Sequence, residues 1–325
     1  MTFPSVRWVA AGSDRVASAR LRAYRPAAAL AGAGWDSSVA RCRRPVRADI
    51  VVFQKAYEER HLRMADRLRR RGTLVVLDLC DNHFFHQSTG DPALAARAAR
   101  LNRMLDIAHI LTVSTPELAT LVDHPDVHVI DDALEPTEPT RSPTCGTASR
   151  LVWFGNAGSE QEAYGMYDLG TIVPALESLA RRIPLHLTVV SNSRESYDRY
   201  VGGARISASY EPWSLDCRQR TLASADVALL PVTVNDFTRC KTSNRVVMAL
   251  QSGLAVVAGR IPSYEEFARC IRFEDWEENV ARYLSDGERR TSEVSTGQRY
   301  IAERFPADHL VRQWAGALTT APARS

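Results

Sequence analysis

The side chains best suited to chemistry collect at the ends of short apolar runs. The densest set is L-D-L-C-D-N-H-F-F-H at 77–86, where Asp78, Asp81, His83 and His86 bring two carboxylates and two imidazoles together. Such a set suits holding sugar hydroxyls or moving a proton, with loop histidines that only satisfy hydrogen bonds as the alternative. Asp78 lies inside an apolar run, where an unpaired carboxylate is costly, so it requires a partner. Three or four ligands at metal spacing are not evident in D-x-x-D-N-H, and no tightly bound metal is expected.

Other candidates lie at similar places. Lys55 follows the run I-V-V-F-Q and would face a phosphate or carboxylate, or only solvent. After the first apolar run, Ser13 and the arginines Arg20 and Arg22 stand at a helix start that suits an anion; a plain turn with exposed arginines is the alternative. Gly155 and Asn156 open a loop of small residues that lets backbone amides approach a ligand. Trp213, or Tyr210 beside it, would stack on a nucleobase or pack inside the protein. Most specific is the stretch from 226 to 258, with Asn235, Asp236 and Arg239 in a polar loop, then K-T-S-N-R at 241–245. Lys241 is read as a point charge just before a helix capped by Thr242 or Ser243. With Asn244 and Arg245 inside that helix, the segment suits a diphosphate.

These residues need strand ends to position them, and the periodicity supplies strands. Short β-branched runs alternate with amphipathic stretches, the pattern of an α/β protein with parallel sheets. Strands are expected at 6–11, 50–54, 74–79, 110–113 and 127–130, and again at 151–154, 185–190, 205–208, 227–231, 255–258 and 271–273. Helices are expected at 17–31, 58–71, 92–108 and 115–122, then at 167–182, 215–225, 244–252, 264–270 and 276–285. The stretch E-P-T-E-P-T-R-S-P-T-C-G-T-A-S at 135–149 reads as a linker, which divides the chain into domains at 1–138 and 145–325. A final segment, 291–319 with a break at Pro306, is expected to cross back to the first domain. Ligands would then bind at strand ends, in a cleft between two Rossmann-like domains.

Composition narrows the class. With 325 residues, 45% hydrophobic and 24% charged, the chain is an ordinary globular protein long enough for two domains. It shows no apolar run near the roughly 18–20 residues of a membrane span and no secretory leader at its start, so a cytoplasmic protein is expected. Cys42, Cys80, Cys145, Cys217, Cys240 and Cys270 are scattered singly, against a disulfide framework or zinc cluster. Net charge is +3, but residues 1–100 alone carry 18 basic against 9 acidic side chains. Arg41, Arg43, Arg44 and Arg47 contribute, as does the run Arg60, Arg63, Arg67, Arg69, Arg70, Arg71. Such a face would meet an anionic acceptor or membrane surface, or simply be solvated. Only two basic residues, Lys55 and Lys241, are lysines. The dinucleotide fingerprint G-x-G-x-x-G is missing after the first strand, which argues against an NAD-dependent dehydrogenase.

Taken in order, A-S-A-R-L-R-A-Y-R-P at 17–26, V-W-F-G-N at 152–156, A-D-V-A-L-L-P-V at 225–232 and K-T-S-N-R through S-G-L-A-V-V-A resemble GT-B fold glycosyltransferases of the family 4-like group. The resemblance implies two Rossmann-like domains, the first on the acceptor side and the second binding the sugar nucleotide. It implies a glycosyltransferase, of hexosyltransferase type, moving a sugar from a nucleoside-diphosphate donor to an acceptor hydroxyl. No further cofactor and no nucleic acid are implied. Its acceptor would be a glycan, a lipid-linked molecule or a small molecule, met in the cytoplasm or peripherally at an anionic membrane. Lys241 to Arg245 would take the donor diphosphate, and Gly155, Asn156, Trp213 and Asp236 its sugar or nucleoside. Asp81 and His83 would be the catalytic candidates, while Ser13, Arg20, Arg22 and Lys55 would serve the acceptor or a phosphate. Family members often carry two glutamates separated by seven residues; here Cys240 and Met248 hold those positions. A sugar-nucleotide epimerase or hydrolase, or a non-catalytic sugar-nucleotide-binding subunit, are the alternatives.

Overall fold

A computed structural model of the chain describes residues 3–40, 46–85, 90–135, 149–159 and 164–319. Cys42, Cys145, His86, the arginines at 41, 43 and 44, and positions 136–148 of the expected linker lie outside the described residues. The chain divides into two compact units. One comprises Met1–Ala133, Cys240–Thr242 and Phe305–Ser325, the other Leu134–Arg239 and Ser243–Arg304. The division falls at Ala133/Leu134, a few residues before the expected linker. Glu135 is already buried, accepting from Arg218 at 3.4 Å.

The first unit is built on β1 (Val6–Ala10), β2 (Ser37–Val39), β3 (Ile50–Gln54), β4 (Leu74–Leu79), β5 (Ile110–Val113) and β6 (Val127–Val129). They form one parallel sheet in the order β2-β1-β3-β4-β5-β6. β3 is apolar up to its last residue and buried throughout, as a strand covered on both faces must be. One face packs on the Glu59–Arg69 and Pro92–Ile107 helices through Leu62, Ala65, Leu101 and Met104. The other packs on the 17–32 helix and the His309–Thr319 helix, whose Trp314 meets Trp8 edge-on at 4.6 Å. The 17–32 helix is not uniform. Arg20–Tyr24 adopts a π-helical turn between two α-helical pieces, a local widening common at functional sites.

The second unit holds β7 (Arg150–Phe154), β8 (Gly158–Ser159), β9 (Tyr164–Gly165), β10 (His186–Ser191), β11 (Ser207–Pro212), β12 (Val227–Leu230), β13 (Ala255–Ala258) and β14 (Arg272–Phe273). The parallel sheet runs β11-β10-β7-β12-β13-β14, with β8 and β9 a separate antiparallel pair. Its core gathers Trp153, Leu187, Val189, Leu229 and Val257 under the Met166–Ala180 helix. Three expectations are displaced. β11 begins two residues late and absorbs Tyr210, the expected 264–270 helix is a 3-10 turn at Pro262–Phe267, and the Arg194–Tyr200 helix, β2 and the β8–β9 pair have no counterpart in the periodicity. Elements this short carry too few residues for a period to emerge.

Strand order reverses once in each sheet, between β1 and β3 and between β7 and β12. Open α/β sheets take ligands at the carboxyl ends of strands beside such a reversal.

Candidate functional site

In the first unit, the reversal is flanked by Lys55, which follows β3. Its backbone is left-handed, φ 51°, a conformation rare for a residue with a side chain. Its ammonium pairs with Asp81 Oδ2, while Lys241 Nζ donates to Oδ1 of the same carboxylate at 2.5 Å. Burial works to raise the Asp81 pKa, but Lys241 and Lys55 hold it well below the usual carboxylate range. His83 lies beside them, Nε2 4.0 Å from Asp81 Oδ2, with Nδ1 bonded to the Tyr57 hydroxyl. Burial and the charge of Lys55 push His83 down to about 3, and burial pushes Tyr57 up to about 12. Neither Asp81 nor His83 is therefore an effective proton acceptor at neutral pH.

Below this corner lies the partner that Asp78 requires. Arg22, carried inward by the π-helical turn and 1% exposed, donates Nη2 to Asp78 Oδ1 at 2.5 Å and Nε to Oδ2 at 3.3 Å. Register sets Thr112 opposite Asp78, and its hydroxyl donates to Oδ1 at 2.7 Å. Burial opposes the charge on Arg22, but Asp78 and Asp132 more than offset it and raise its pKa. Arg20 is buried too, its Nη1 donating to the carbonyls of Asp14 and Arg15. Arg20 and Arg22, expected to serve the acceptor or a phosphate or to be exposed on a plain turn, are thus buried and bonded within the first unit. The helix length was legible; the π-helical turn that sends Arg22 inward was not. Ser13 is exposed in the loop they hold.

Cys240, Lys241 and Thr242 all connect within the first unit. The Cys240 carbonyl accepts from Thr115 Oγ1 at 3.1 Å, Lys241 pairs with Asp81, and Thr242 Oγ1 donates to Asp132 at 2.7 Å. Lys241, expected as a point charge for a diphosphate, is thus ion-paired with Asp81 in the first unit. Ser243 sits at the N-cap of the Asn244–Gln251 helix but makes no side-chain cap, its φ/ψ of −78°/10° lying outside the usual extended cap geometry. Cys240 is fully buried among apolar side chains and Met248 lies in the second unit's interior. Neither environment would hold a carboxylate without a large penalty.

The second unit presents a different cation. Arg245, in the first turn of the Asn244–Gln251 helix, lies over Trp153 at 5.3 Å and Phe154 at 5.4 Å. Its guanidinium fills the space beside Gly155, where a Cβ would come within 3.5 Å of Cζ. Among the described residues its Nε and Nη2 are buried with no hydrogen-bond partner. Burial lowers its pKa against the opposing charges of Tyr264 and Asp168. A Cβ at Gly155 would thus meet Arg245 at ordinary van der Waals contact. Asn156 is exposed and turns its Oδ1 back to accept from Gly158 N at 2.9 Å.

Asp168, which sequence reasoning missed, ties this corner together. One oxygen accepts from Gly165 N at 2.9 Å and the other from Thr233 N at 2.8 Å, joining the β9 turn to the loop after β12. Burial raises its pKa. Gly165 is left-handed, φ 94°, and any Cβ there would lie 2.4 Å from the Ala157 carbonyl oxygen, so only glycine fits. An acid three residues after a glycine at a helix start was a readable signal. Its second partner, Thr233, is distant in sequence and was not. Asp236 is exposed, 4.0 Å from Arg239. Trp213 is half-buried just past β11, its N–H donating to the Ser191 carbonyl. Among the described residues no three His, Cys, Asp or Glu side chains group as a metal site, and no helix is long and apolar enough to cross a membrane. Cys80, Cys217, Cys240 and Cys270 are free and buried.

No protein-family model matches the chain, and no curated protein matches it in sequence. Solved structures match its fold. HepE of Anabaena, crystallised with UDP and glucose, superposes with a TM-score of 0.68 at 13% identity over 98% of this chain and 100% of HepE. TarM of S. aureus, solved in one complex with UDP, gives 0.65 at 8% identity over 83% of this chain and 55% of TarM. OtsA without ligand gives 0.57 at 13% identity, covering 84% of this chain and 73% of OtsA. The chain thus spans about half the length of TarM. At these identities the likeness is one of fold, and the α/β fold of two parallel six-stranded sheets is that of the GT-B structures.

Proposed function

We propose that this chain transfers a glycosyl group from a nucleoside-diphosphate sugar to an acceptor nucleophile, in the manner of the family 4-like group. The observation carrying this reading is Arg245. A half-buried guanidinium with two buried nitrogens that have no protein hydrogen-bond partner, beside a glycine at the strand-order reversal of the second sheet, is suited to an anion. A diphosphate meets that need, accepting from Arg245 and from backbone N–H groups at the start of the Asn244–Gln251 helix. Charge developing on the leaving diphosphate is then stabilised electrostatically, by donors in place before the reaction begins. Trp213 and Asn156 are assigned to the nucleoside and sugar, and the first unit to the acceptor. HepE and TarM having been solved with UDP makes UDP-sugars the donors to test first.

Cys240 and Met248 favour a second reading. With apolar side chains at both positions, a sugar-nucleotide binder without turnover shares the same donor site. Thermal unfolding with UDP-, GDP- and dTDP-sugars, followed by product analysis over an acceptor panel, separates the two. A ligand at 100 times its Kd adds about 2.7 kcal/mol of stability. Acceptor-dependent release of nucleoside diphosphate establishes the transferase; stabilisation without release establishes the binder. No stabilisation by any of the three donors overturns both.

A further inference from the structure

Of the 41 basic side chains only two are lysines, and both converge on one carboxylate. Lys55 and Lys241 each take one oxygen of Asp81 at the carboxyl edge of the first sheet. The three side chains remain partly open, 16%, 31% and 14% exposed. The charge of Arg97 also bears on Tyr57 and His83. Asp78 is spent on Arg22 and Thr112, and Asp132 reaches Arg22 at 3.6 Å and accepts from Thr242. Lysine serves where a compact point charge is needed, as for a tetrahedral oxyanion, whereas arginine's planar fork suits bidentate pairing. The left-handed backbone of Lys55 is a strain that the sheet edge sustains at this point.

His83 completes the arrangement. Its proximity to the Asp81 carboxylate favours the proton on Nε2, and Nδ1 then accepts from the Tyr57 hydroxyl. A neutral donor thus faces the same corner as the two ammonium groups.

We propose that Lys55, Lys241 and His83 form a subsite for a phosphate group carried by the acceptor, with Asp81 holding the two ammonium groups apart until that phosphate arrives. The assignment rests on the transferase reading only in naming the acceptor as the source. A phosphate here has two sources, the acceptor and the donor's own diphosphate, and occupancy of the donor site distinguishes them.

The test is binding of inorganic phosphate to the full chain, by calorimetry, with UDP absent and with UDP saturating. Phosphate is expected to bind in both conditions. Lys55→Met is expected to weaken it about 10- to 100-fold, the loss of one charge-assisted contact. Asp81→Asn, which removes the carboxylate charge that both ammonium groups pair with, is expected to tighten it several-fold, an effect opposite to that of a merely structural defect. Arg245→Met should leave phosphate affinity within about twofold while weakening UDP, because it removes none of the three side chains assigned to this phosphate. Displacement of phosphate by UDP would assign the lysines to the donor diphosphate and overturn the proposal. Equal affinity in wild type, Lys55→Met and Asp81→Asn would show an adventitious ion only and overturn it as well. Lys55-dependent phosphate binding without any UDP binding would sink the transferase reading and leave the anion site standing.

Discussion

Arg245→Met should stabilise the ligand-free protein and cripple its nucleotide site. In the free chain Nε and Nη2 are buried without partners, and each such group costs about 1–3 kcal/mol. Methionine fills a similar volume with no polar atoms. Against that gain stands the loss of the contacts over Trp153 and Phe154, worth about 0.5–2 kcal/mol. Asp168 also loses a favourable charge, although its two backbone hydrogen bonds remain. The balance is a net gain of about 1–3 kcal/mol, or a rise in Tm of about 2–4 °C per kcal/mol for a unit of this size. With UDP the sign reverses. Removing a charge-assisted phosphate contact costs about 1.5–3 kcal/mol, a 10- to 150-fold rise in Kd. Thermal and urea unfolding, each with and without UDP, read both halves together. A variant that melts lower than wild type while keeping its full UDP-induced shift would refute the reasoning, because Arg245 would then be a satisfied structural residue.

Asp78→Asn should cost about 3–5 kcal/mol in urea unfolding, since it strands the buried Arg22 guanidinium; a loss under about 1 kcal/mol would show that Arg22 finds another counter-charge. His83 has its pKa pushed down to about 3 by burial and by Lys55, so its contribution to stability is complete above its unfolded value near 6.5 and is lost as pH falls toward 3. The difference between wild type and His83→Gln should slope by up to ~1.4 kcal/mol per pH unit across that window, and a flat difference would mean that His83 is protonated in the folded chain. Asp81, depressed by Lys241 and Lys55, acts the same way only below about pH 4. On the Glu59–Arg69 helix and its C-cap, Arg70 pairs with Asp66, Arg69 donates to the carbonyls of Asp106 and Ile107 and Arg60 donates to His61 Nε2, while Arg63 and Arg67 are exposed. If this face meets an anionic membrane at about 1 kcal/mol per residue, Arg63→Glu with Arg67→Glu should abolish low-salt sedimentation with anionic liposomes. Equal sedimentation of the wild type with neutral and anionic vesicles would leave these arginines merely solvated.

The sequence by itself determined the two parallel sheets, because buried parallel strands demand continuous apolar runs, and 50–54, 74–79, 227–231 and 255–258 show them plainly. It also marked the strand ends where Lys55, Asp81, His83 and Gly155 stand, and the helix start that carries Arg245, since residues abruptly following such runs have few other places to go. Tertiary structure decided what those residues do there. Two lysines far apart in sequence meet on Asp81, and no spacing rule reports that meeting. Arg22 turns inward because a π-helical turn rotates it toward Asp78, a change of helix phase that a 3.6-residue period cannot anticipate. Asp168 gains its meaning from Thr233, and Arg245 from the aromatic rings beneath it and its buried, unpartnered nitrogens. Hydrophobic periodicity is local and repeats along the chain, so it survives in one dimension. Charge pairing and unpaired burial depend on which residues the fold brings within a few ångströms, and only the folded chain settles that.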